Sequence, residues 1–349
     1  MPVAGKNLPA LWRLTNFFSD SYPITSVAAT QSTKNLVVEI TKYIQTEFLS
    51  RCFVRVKGPV VVAGAGAGTS TGADNSEALL VTANLTTQPQ YQNVVPINNV
   101  SARGLLIDAM FNEGWLDKAP PIPDVAGTYQ IENWYELNFK RSGLPSGYGI
   151  DYSMPLAKYR SVLLTMQFGG RDQMFTGGTN TWDLSGLAID LFADLDIGAN
   201  PEFIHAHELF ENNYAITATT SDFKIDTLPP GFDYTDFYFI TEEAGARADG
   251  ILNNLNIQSG SQQWLLKGEN NAGAIRQMFS KRNNRTITDA GQDFTGLYCI
   301  PLRDGMFTRG FDARFGQLTM SLDVTAGADT NLRLVGRRMI PGGILQRSK

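Results

Sequence analysis

Both histidines of the chain lie two positions apart in F-I-H-A-H-E-L-F, residues 203–210, as His205 and His207, with Glu208 and Glu211 close behind. On an extended segment, alternate side chains share a face about 7 Å apart at the Cα, so two imidazoles could reach one ion, as in cupin-type sites. Such a site needs a third and usually a fourth protein ligand. The chain has no further histidine, and Glu208 falls on the opposite face, which leaves Glu211 or a distant carboxylate. Phe203 and Leu209 share the histidine face, while Ile204, Ala206 and Phe210 line the other. That is the pattern of a strand covered on both sides by a sheet or a neighbouring subunit. His205 and His207 are therefore expected as packed or interfacial residues without a metal. At an interface their protonation near about pH 6 would weaken the contact, because burying a new charge is costly.

The remaining chemical motifs are weak. V-V-V-A-G-A-G-A-G-T-S-T-G follows a strand, but the third glycine of a dinucleotide fingerprint would fall at 69 or 71, where Thr69 and Thr71 stand. No apolar helix follows to hold a pyrophosphate, so a mobile surface loop is expected. Gly5-Lys6 lacks the context of a phosphate loop, and there is no G-x-S-x-G and no cysteine near either histidine. Trp134, Tyr135, Trp182 and Trp264 sit in strand-like apolar contexts, which favours core packing over a sugar-stacking platform. No residue is assigned to catalysis and no cofactor is expected.

Composition narrows the class. The 349 residues are enough for two domains, the net charge is −5, and only 18% of residues are charged, below the roughly 25% of typical soluble domains. A charge-poor surface favours self-association, since large contacts deplete charge at their centres. Cys52 and Cys299 are the only thiols, too few for a disulfide framework, and with no basic-apolar leader the chain reads as made in a cytosol. Residues 1–19 carry Lys6 and Arg13 without an acid, and residues 330–349 carry Arg333, Arg337, Arg338, Arg347 and Lys349 without an acid. Basic ends on an acidic body suit tails that meet phosphate, of lipid heads or of nucleic acid.

The elements that must position these residues are mostly strands. Period-two alternation recurs at 35–44, 52–62, 78–86, 236–240 and 262–267, and is clearest in A-I-D-L-F-A-D-L-D-I, where Ile189, Leu191, Ala193, Leu195 and Ile197 oppose Asp190, Asp194 and Asp196. Helical spacing is confined to 102–114, 271–283 and 9–19. The last puts Leu8, Leu11, Trp12, Thr15 and Phe18 on one stripe, widened by Leu14 and Phe17, as an amphipathic arm with Arg13 toward phosphates.

An internal repeat is also present. Tyr152-Ser-Met-Pro155-Leu156 recurs as Tyr298-Cys-Ile-Pro301-Leu302, Leu164-Thr165-Met166 as Leu318-Thr319-Met320, and Met110-Phe111 as Met278-Phe279. The order is kept in both halves, and Gly169, Gly170, Gly177, Gly178 and Gly186 cluster between them as a boundary. The expected fold class is all-β: two tandem eight-stranded jelly-roll β-sandwiches with a few short helices. The expected divisions are an amphipathic N-terminal arm over 1–19, a first jelly roll over 20–172, a second over 183–340 and a basic C-terminal tail over 341–349.

Two such sandwiches in tandem resemble the double jelly-roll major capsid proteins of the tectivirus and adenovirus lineage. G-L-Y-C-I-P-L-R-D-G, residues 296–305, ahead of Q-L-T-M-S-L-D-V and L-R-L-V-G, is similar to the end of the second jelly roll in tectivirus coats; the N-terminal stretch departs from them. The resemblance implies a homotrimer whose six jelly rolls form a pseudo-hexagonal tile, contacts to neighbouring trimers and minor capsid proteins, and no enzymatic activity. It implies a place in the virion of a tailless icosahedral virus, expected to infect bacteria, after synthesis in the host cytoplasm. An internal lipid membrane or the packaged genome would meet the basic termini, with Trp12, Arg13, Phe17, Phe18, Arg337 and Arg338 as the contact residues. The long connections at 63–75 and 113–128 would carry exposed towers or contact arms. Competing readings are a carbohydrate-binding or minor capsid or spike sandwich, and a cupin-type metal enzyme resting on His205 and His207.

Overall fold

The computed structural model describes residues 11–24, 26–27, 33–45, 47–89, 95–113, 120–139, 153–197, 205–259, 262–265, 272–275, 295–301, 311–312 and 316–344. The first half is built from eight principal strands: β1 (Leu11–Ser21), β2 (Lys34–Glu39), β3 (Phe48–Ala63), β4 (Leu80–Pro89), β5 (Ile97–Ser101), β6 (Gly127–Asn138), β7 (Tyr159–Phe168) and β8 (Ala188–Ile197). The second half has eight more: β9 (His205–Ile216), β10 (Thr220–Ile225), β11 (Asp233–Glu243), β12 (Leu252–Ser259), β13 (Gln262–Leu265), β14 (Leu297–Pro301), β15 (Leu318–Val324) and β16 (Thr330–Ile344). The alternation that marks these segments sends one set of side chains inward. On β8, Ile189, Leu191, Ala193 and Leu195 are fully buried, and each large apolar side chain so removed from water contributes roughly 1.5–3 kcal/mol.

Pairing runs β1-β8-β3-β6 in one sheet of the first sandwich and β2-β7-β4-β5 in the facing one. The second sandwich pairs β9-β16-β11-β14 against β10-β15-β12-β13. Adding eight to every label of the first pair of sheets yields the second, so both halves are jelly rolls with the same strand order. Val54, Val56, Leu164 and Leu191 pack in one core, and Phe237, Phe239, Leu322 and Leu334 in the other. The halves are joined edge to edge: β5 runs parallel to β9, with Ile97 opposite Leu209 and Asn98 opposite Phe210. This pairing fuses β2-β7-β4-β5 and β9-β16-β11-β14 into one continuous ten-stranded sheet. Helix α1 (Asn75–Ala78), capped by Asp74 through the backbone N–H groups of Ser76 and Glu77, and helix α2 (Ala102–Glu113), which follows β5 directly, lie at this joint.

The duplication read from the sequence is present, but one of its three marks is not. Leu164–Met166 lies in β7 and Leu318–Met320 in β15, which are equivalent strands, with Leu164, Met166, Leu318 and Met320 buried in their cores. The Y-x-x-P-L pair falls on strands that do not correspond. Met154–Pro155 extends the sheet beside Phe48–Leu49, whereas Tyr298–Pro301 belongs to β14, the counterpart of β6. Met110-Phe111 ends α2; the second helix is described only over 272–275, and Met278-Phe279 lies outside the described residues.

Three further expectations are corrected. The segment 9–19 is not a helical arm: from Leu11 it is β1, the first strand of its sandwich. A helix this short is marginal by itself, while the edge of β8 offers a full row of backbone partners. A bulge between Asn16 and Phe18 lets both Phe17 and Phe18 pack on the core despite being adjacent. The glycine cluster at 169–186 does not end the first sandwich, because β8 follows it and pairs with β1 and β3. The strand that the sequence places in the second jelly roll thus completes the first. Residues 330–344 form β16, so the basic terminus is mostly sheet; 345–349 lie outside the described residues.

The glycine-rich loop expected to be a mobile surface segment is instead tied down through Asp124, as are residues 120–126 of the excess connection. The Arg171 guanidinium, fully buried, donates to Asp124 from Nε at 3.1 Å and from Nη2 at 2.6 Å. The Gly68 N–H and the Trp182 indole also donate to this carboxylate at 2.7 and 2.9 Å. Burial works against the Asp124 charge, yet the Arg171 bonds and these two donors outweigh it and bring the pKa down to about 2. Gly178 closes the hub at φ +77°, where a Cβ would sit 2.6 Å from Arg171 Nη2 and from the Gly66 carbonyl oxygen.

Candidate assembly surfaces

Two outer sheet faces carry the residues most able to support contacts, and they are equivalent in the two sandwiches. The first is the outer face of β9-β16-β11-β14, already covered within the chain by α2. Leu209, Val335, Tyr238, Ile240, Leu297 and Cys299 point away from the second core and join the first. Within this apolar contact Arg337 is buried: its Nε donates to Asp108 Oδ1 at 2.8 Å, a second nitrogen pairs with Asp108 Oδ2, and it reaches the Asn138 carbonyl at 3.0 Å. Burial alone would lower the Arg337 pKa; Asp108 more than offsets this and raises it above the ordinary value. Beside it, Arg103 of α2 bridges Glu77 and Glu242. Arg333 donates to Glu242 at 2.7 Å and to Glu211 at 3.0 Å, and Glu211 also accepts the Ser101 N–H at 2.7 Å. The joint is a greasy patch with fully paired ions, the composition of an obligate interface core.

The second is the outer face of β1-β8-β3-β6, where Ser50, Asp190, Asp194 and Asp196 are buried and Arg51, Phe53, Arg55, Trp134 and Phe192 are half-buried. Arg55 lies 5.2 Å from the Trp134 ring and 5.1 Å from that of Phe192, and Arg51 5.5 Å from Phe53. Trp134 and Phe192 are 5.3 Å apart. Arg55 pairs with Asp190 at 2.6 Å and Arg51 with Asp194 at 2.8 Å. Asp196 accepts from Ser50 and, at 2.9 Å, from Ser153. Leu14 on the edge strand is 47% exposed. Aromatic rings stacked with guanidinium groups are the residues most enriched at energetic centres of protein contacts. Trp134 is accordingly not a core residue, as its sequence context suggests, whereas Tyr135 and Trp182 are; the side chain of Trp264 lies outside the described residues.

The contact residues expected from sequence scatter. Phe17 and Phe18 anchor β1 to its own sandwich, with ring centroids 5.8 and 6.2 Å from Tyr43. Arg13, half exposed, donates to Glu47 at 3.0 Å, a surface pair worth little. The backbone of Trp12 pairs with Asp196, but its side chain lies outside the described residues. Arg337 is sealed in the joint. Arg338 pairs with Glu208 at 2.8 Å and covers Phe210 and Phe232. These two arginines are therefore spent on the fold rather than held out to phosphate. His205 and His207 stand on β9 opposite Ile344 and Met339, and their side chains lie outside the described residues. The aromatic–arginine face escaped the sequence reading because its members come from three strands distant in the chain. The signal was there in R-C-F-V-R, where arginine and phenylalanine alternate with the buried Cys52 and Val54.

No family model and no curated protein matches the chain. Solved structures do. The STIV MCP aligns at a TM-score of 0.64 with 13% identity, covering 94% of this chain and 97% of that one; STIV is the Sulfolobus turreted icosahedral virus. Major capsid protein P2 from bacteriophage PM2 aligns at 0.57 with 11% identity, over 97% of this chain and 99% of its own. The PBCV-1 virus capsid protein aligns at 0.52 with 10% identity, over 97% and 98%. The chain thus has the double jelly-roll fold of these capsid proteins, aligned over 94–97% of its length.

Proposed function

We propose that this chain is the major capsid protein of a tailless icosahedral virus, and that it works by self-association into trimers whose six jelly rolls make a pseudo-hexagonal tile. The observation that carries this reading is the repeat of one strand order in two sandwiches fused side by side, together with end-to-end likeness to capsid proteins. Two like modules per chain give a threefold ring six like corners, and such tiles pack a flat lattice. Its partners are then other copies of itself within and between tiles, and minor capsid proteins at the gaps. Its place is the virion, after synthesis in the host cytoplasm, and its role is structural.

The test is the mass of the purified 38.3 kDa chain by light scattering, with electron microscopy of the same sample. A threefold oligomer and hexagonal tiles or shells are expected. A strictly monomeric chain that forms no ordered array at any concentration would overturn the reading.

A further inference from the structure

The glycine-rich loop 64–73 starts at the Asp124 hub of the first sandwich and ends against the second sandwich. Its hub end is fastened along its length. The Gly66 N–H donates to Asn180 Oδ1 at 2.9 Å and the Gly68 N–H to Asp124 at 2.7 Å. Thr69–Ser70 pairs antiparallel with Phe175–Thr176. Thr71 then donates from its backbone N–H to the Met174 carbonyl and from its hydroxyl to the Gln173 carbonyl, each at 2.8 Å. A glycine-rich segment tied at so many points has lost the freedom its composition suggests.

Beyond Thr71 the loop meets the tight turn that follows β11, where Ala246–Arg247 folds back to pair with Glu242 and Glu243. Gly72 has φ +84°, and Ala244 and Gly245 in that turn have φ +51° and +81°. The fit is backbone on backbone. A Cβ on Gly72 would lie 2.7 Å from the Ala246 nitrogen and 2.8 Å from the Gly245 carbonyl carbon, and one on Gly245 would run into the Thr71 carbonyl oxygen. Each glycine is thus required by the other half. The same turn is held by a side chain: Arg103 of α2 donates to the Gly245 carbonyl at 3.3 Å while bridging Glu77 of α1 and Glu242. Helix α1 begins directly after the loop, capped by Asp74. By contrast, the backbone ladder between the halves has only two residue pairs, Ile97–Leu209 and Asn98–Phe210.

We propose that the loop 64–73 is a strut that couples the Asp124 hub of the first sandwich to the β11 turn of the second, so that loosening either one loosens the other. Close-packed contacts transmit strain, and here two backbones touch with no side chain between them whose rotation could absorb a shift. The strut is a property of a single chain, so a monomer shows it as fully as an oligomer does.

The experiment is hydrogen exchange read by mass spectrometry on the full chain and three variants. Asp124→Asn weakens the hub, Gly72→Ala strains the loop, and Gly245→Ala strains the turn. The probes in the second half are the N–H groups of Ala244 and Ala248, which donate to the Ala328 and Thr241 carbonyls at 3.2 and 2.9 Å; those in the first are the N–H groups of Gly68 and Thr71. Met320 and Leu322, in the second core, give the reference for general destabilisation. Asp124→Asn is expected to speed exchange at Ala244 and Ala248 at least about fivefold beyond that reference, and Gly245→Ala to do the same at Gly68 and Thr71, since coupling is reciprocal. Gly72→Ala is expected to raise both sets. Changes confined to the half that carries the substitution, in either direction, or parent rates at both sets in all three variants, would overturn the strut. Neither result bears on the oligomer mass, so the self-assembly reading stands or falls separately.

Discussion

Arg337, in the last strand of the second sandwich, donates through Nε to Asp108 Oδ1 in the helix of the first at 2.8 Å, across 229 positions of sequence. Both side chains are sealed from water. Removing Asp108 takes the main ionic partner from a buried guanidinium. Asp108→Ala is expected to lower unfolding stability by about 3–5 kcal/mol, whereas Asp108→Leu with Arg337→Met recovers most of the loss. Urea unfolding of the three chains checks this; equal loss in the single and double variants would contradict it.

Asp124 makes part of the stability depend on acid. Its carboxyl titrates at about 2 in the folded chain against an ordinary 3.8. A depressed value means that its contribution is complete above about pH 4 and is lost as pH falls toward 2. The difference corresponds to about 2 kcal/mol. Asp124→Asn is expected to be less stable at pH 7 and to show a flatter stability profile between pH 4 and 2. Thermal melts across that range measure it.

Gly178 tests the same hub from the backbone side. At φ +77° an added Cβ would meet Arg171 Nη2 and the Gly66 carbonyl oxygen, both at 2.6 Å. Gly178→Ala is expected to cost more than about 1 kcal/mol, through left-handed strain and displacement of the buried guanidinium. A melting temperature equal to that of the parent chain would contradict this.

Cys52 is fully buried, and desolvation pushes its thiol up to about 12 from 9.0. At pH 8 almost no thiolate is present and no reagent reaches it. Alkylation of Cys52, followed by mass spectrometry of its peptide, is expected to proceed at the rate of unfolding and to accelerate sharply in denaturant. Rapid labelling of the native chain would contradict the burial.

What the sequence made legible was periodicity and repetition. Ile189 to Leu195 alternate so strictly that the inward face of β8 could be named in advance, and L-T-M marks equivalent strands in both cores. What it concealed was anything decided by partners far along the chain. Phe17 and Phe18 are adjacent, which suits a helix stripe as well as a bulged strand; only the waiting edge of β8 chooses between them. Arg337 and Arg338 look like a basic tail because their acids, Asp108 and Glu208, lie 229 and 130 positions away. The glycines at 177 and 178 suggest a linker, since composition alone does not distinguish a boundary from a tight turn around a buried ion pair.

The long span of the Asp108–Arg337 bond also sets a clock during synthesis. The first sandwich is complete once β8 has been made, but the second is not finished until β16 leaves the ribosome. At roughly 5–20 residues per second, the helix waits about 10 to 45 seconds for its arginine. During that delay the flank of a nascent chain is open, and where two chains finish their second sandwiches side by side each can receive the helix of the other. Exchange of halves between copies is therefore a hazard at high translation load, and slower expression should raise the yield of correctly closed subunits.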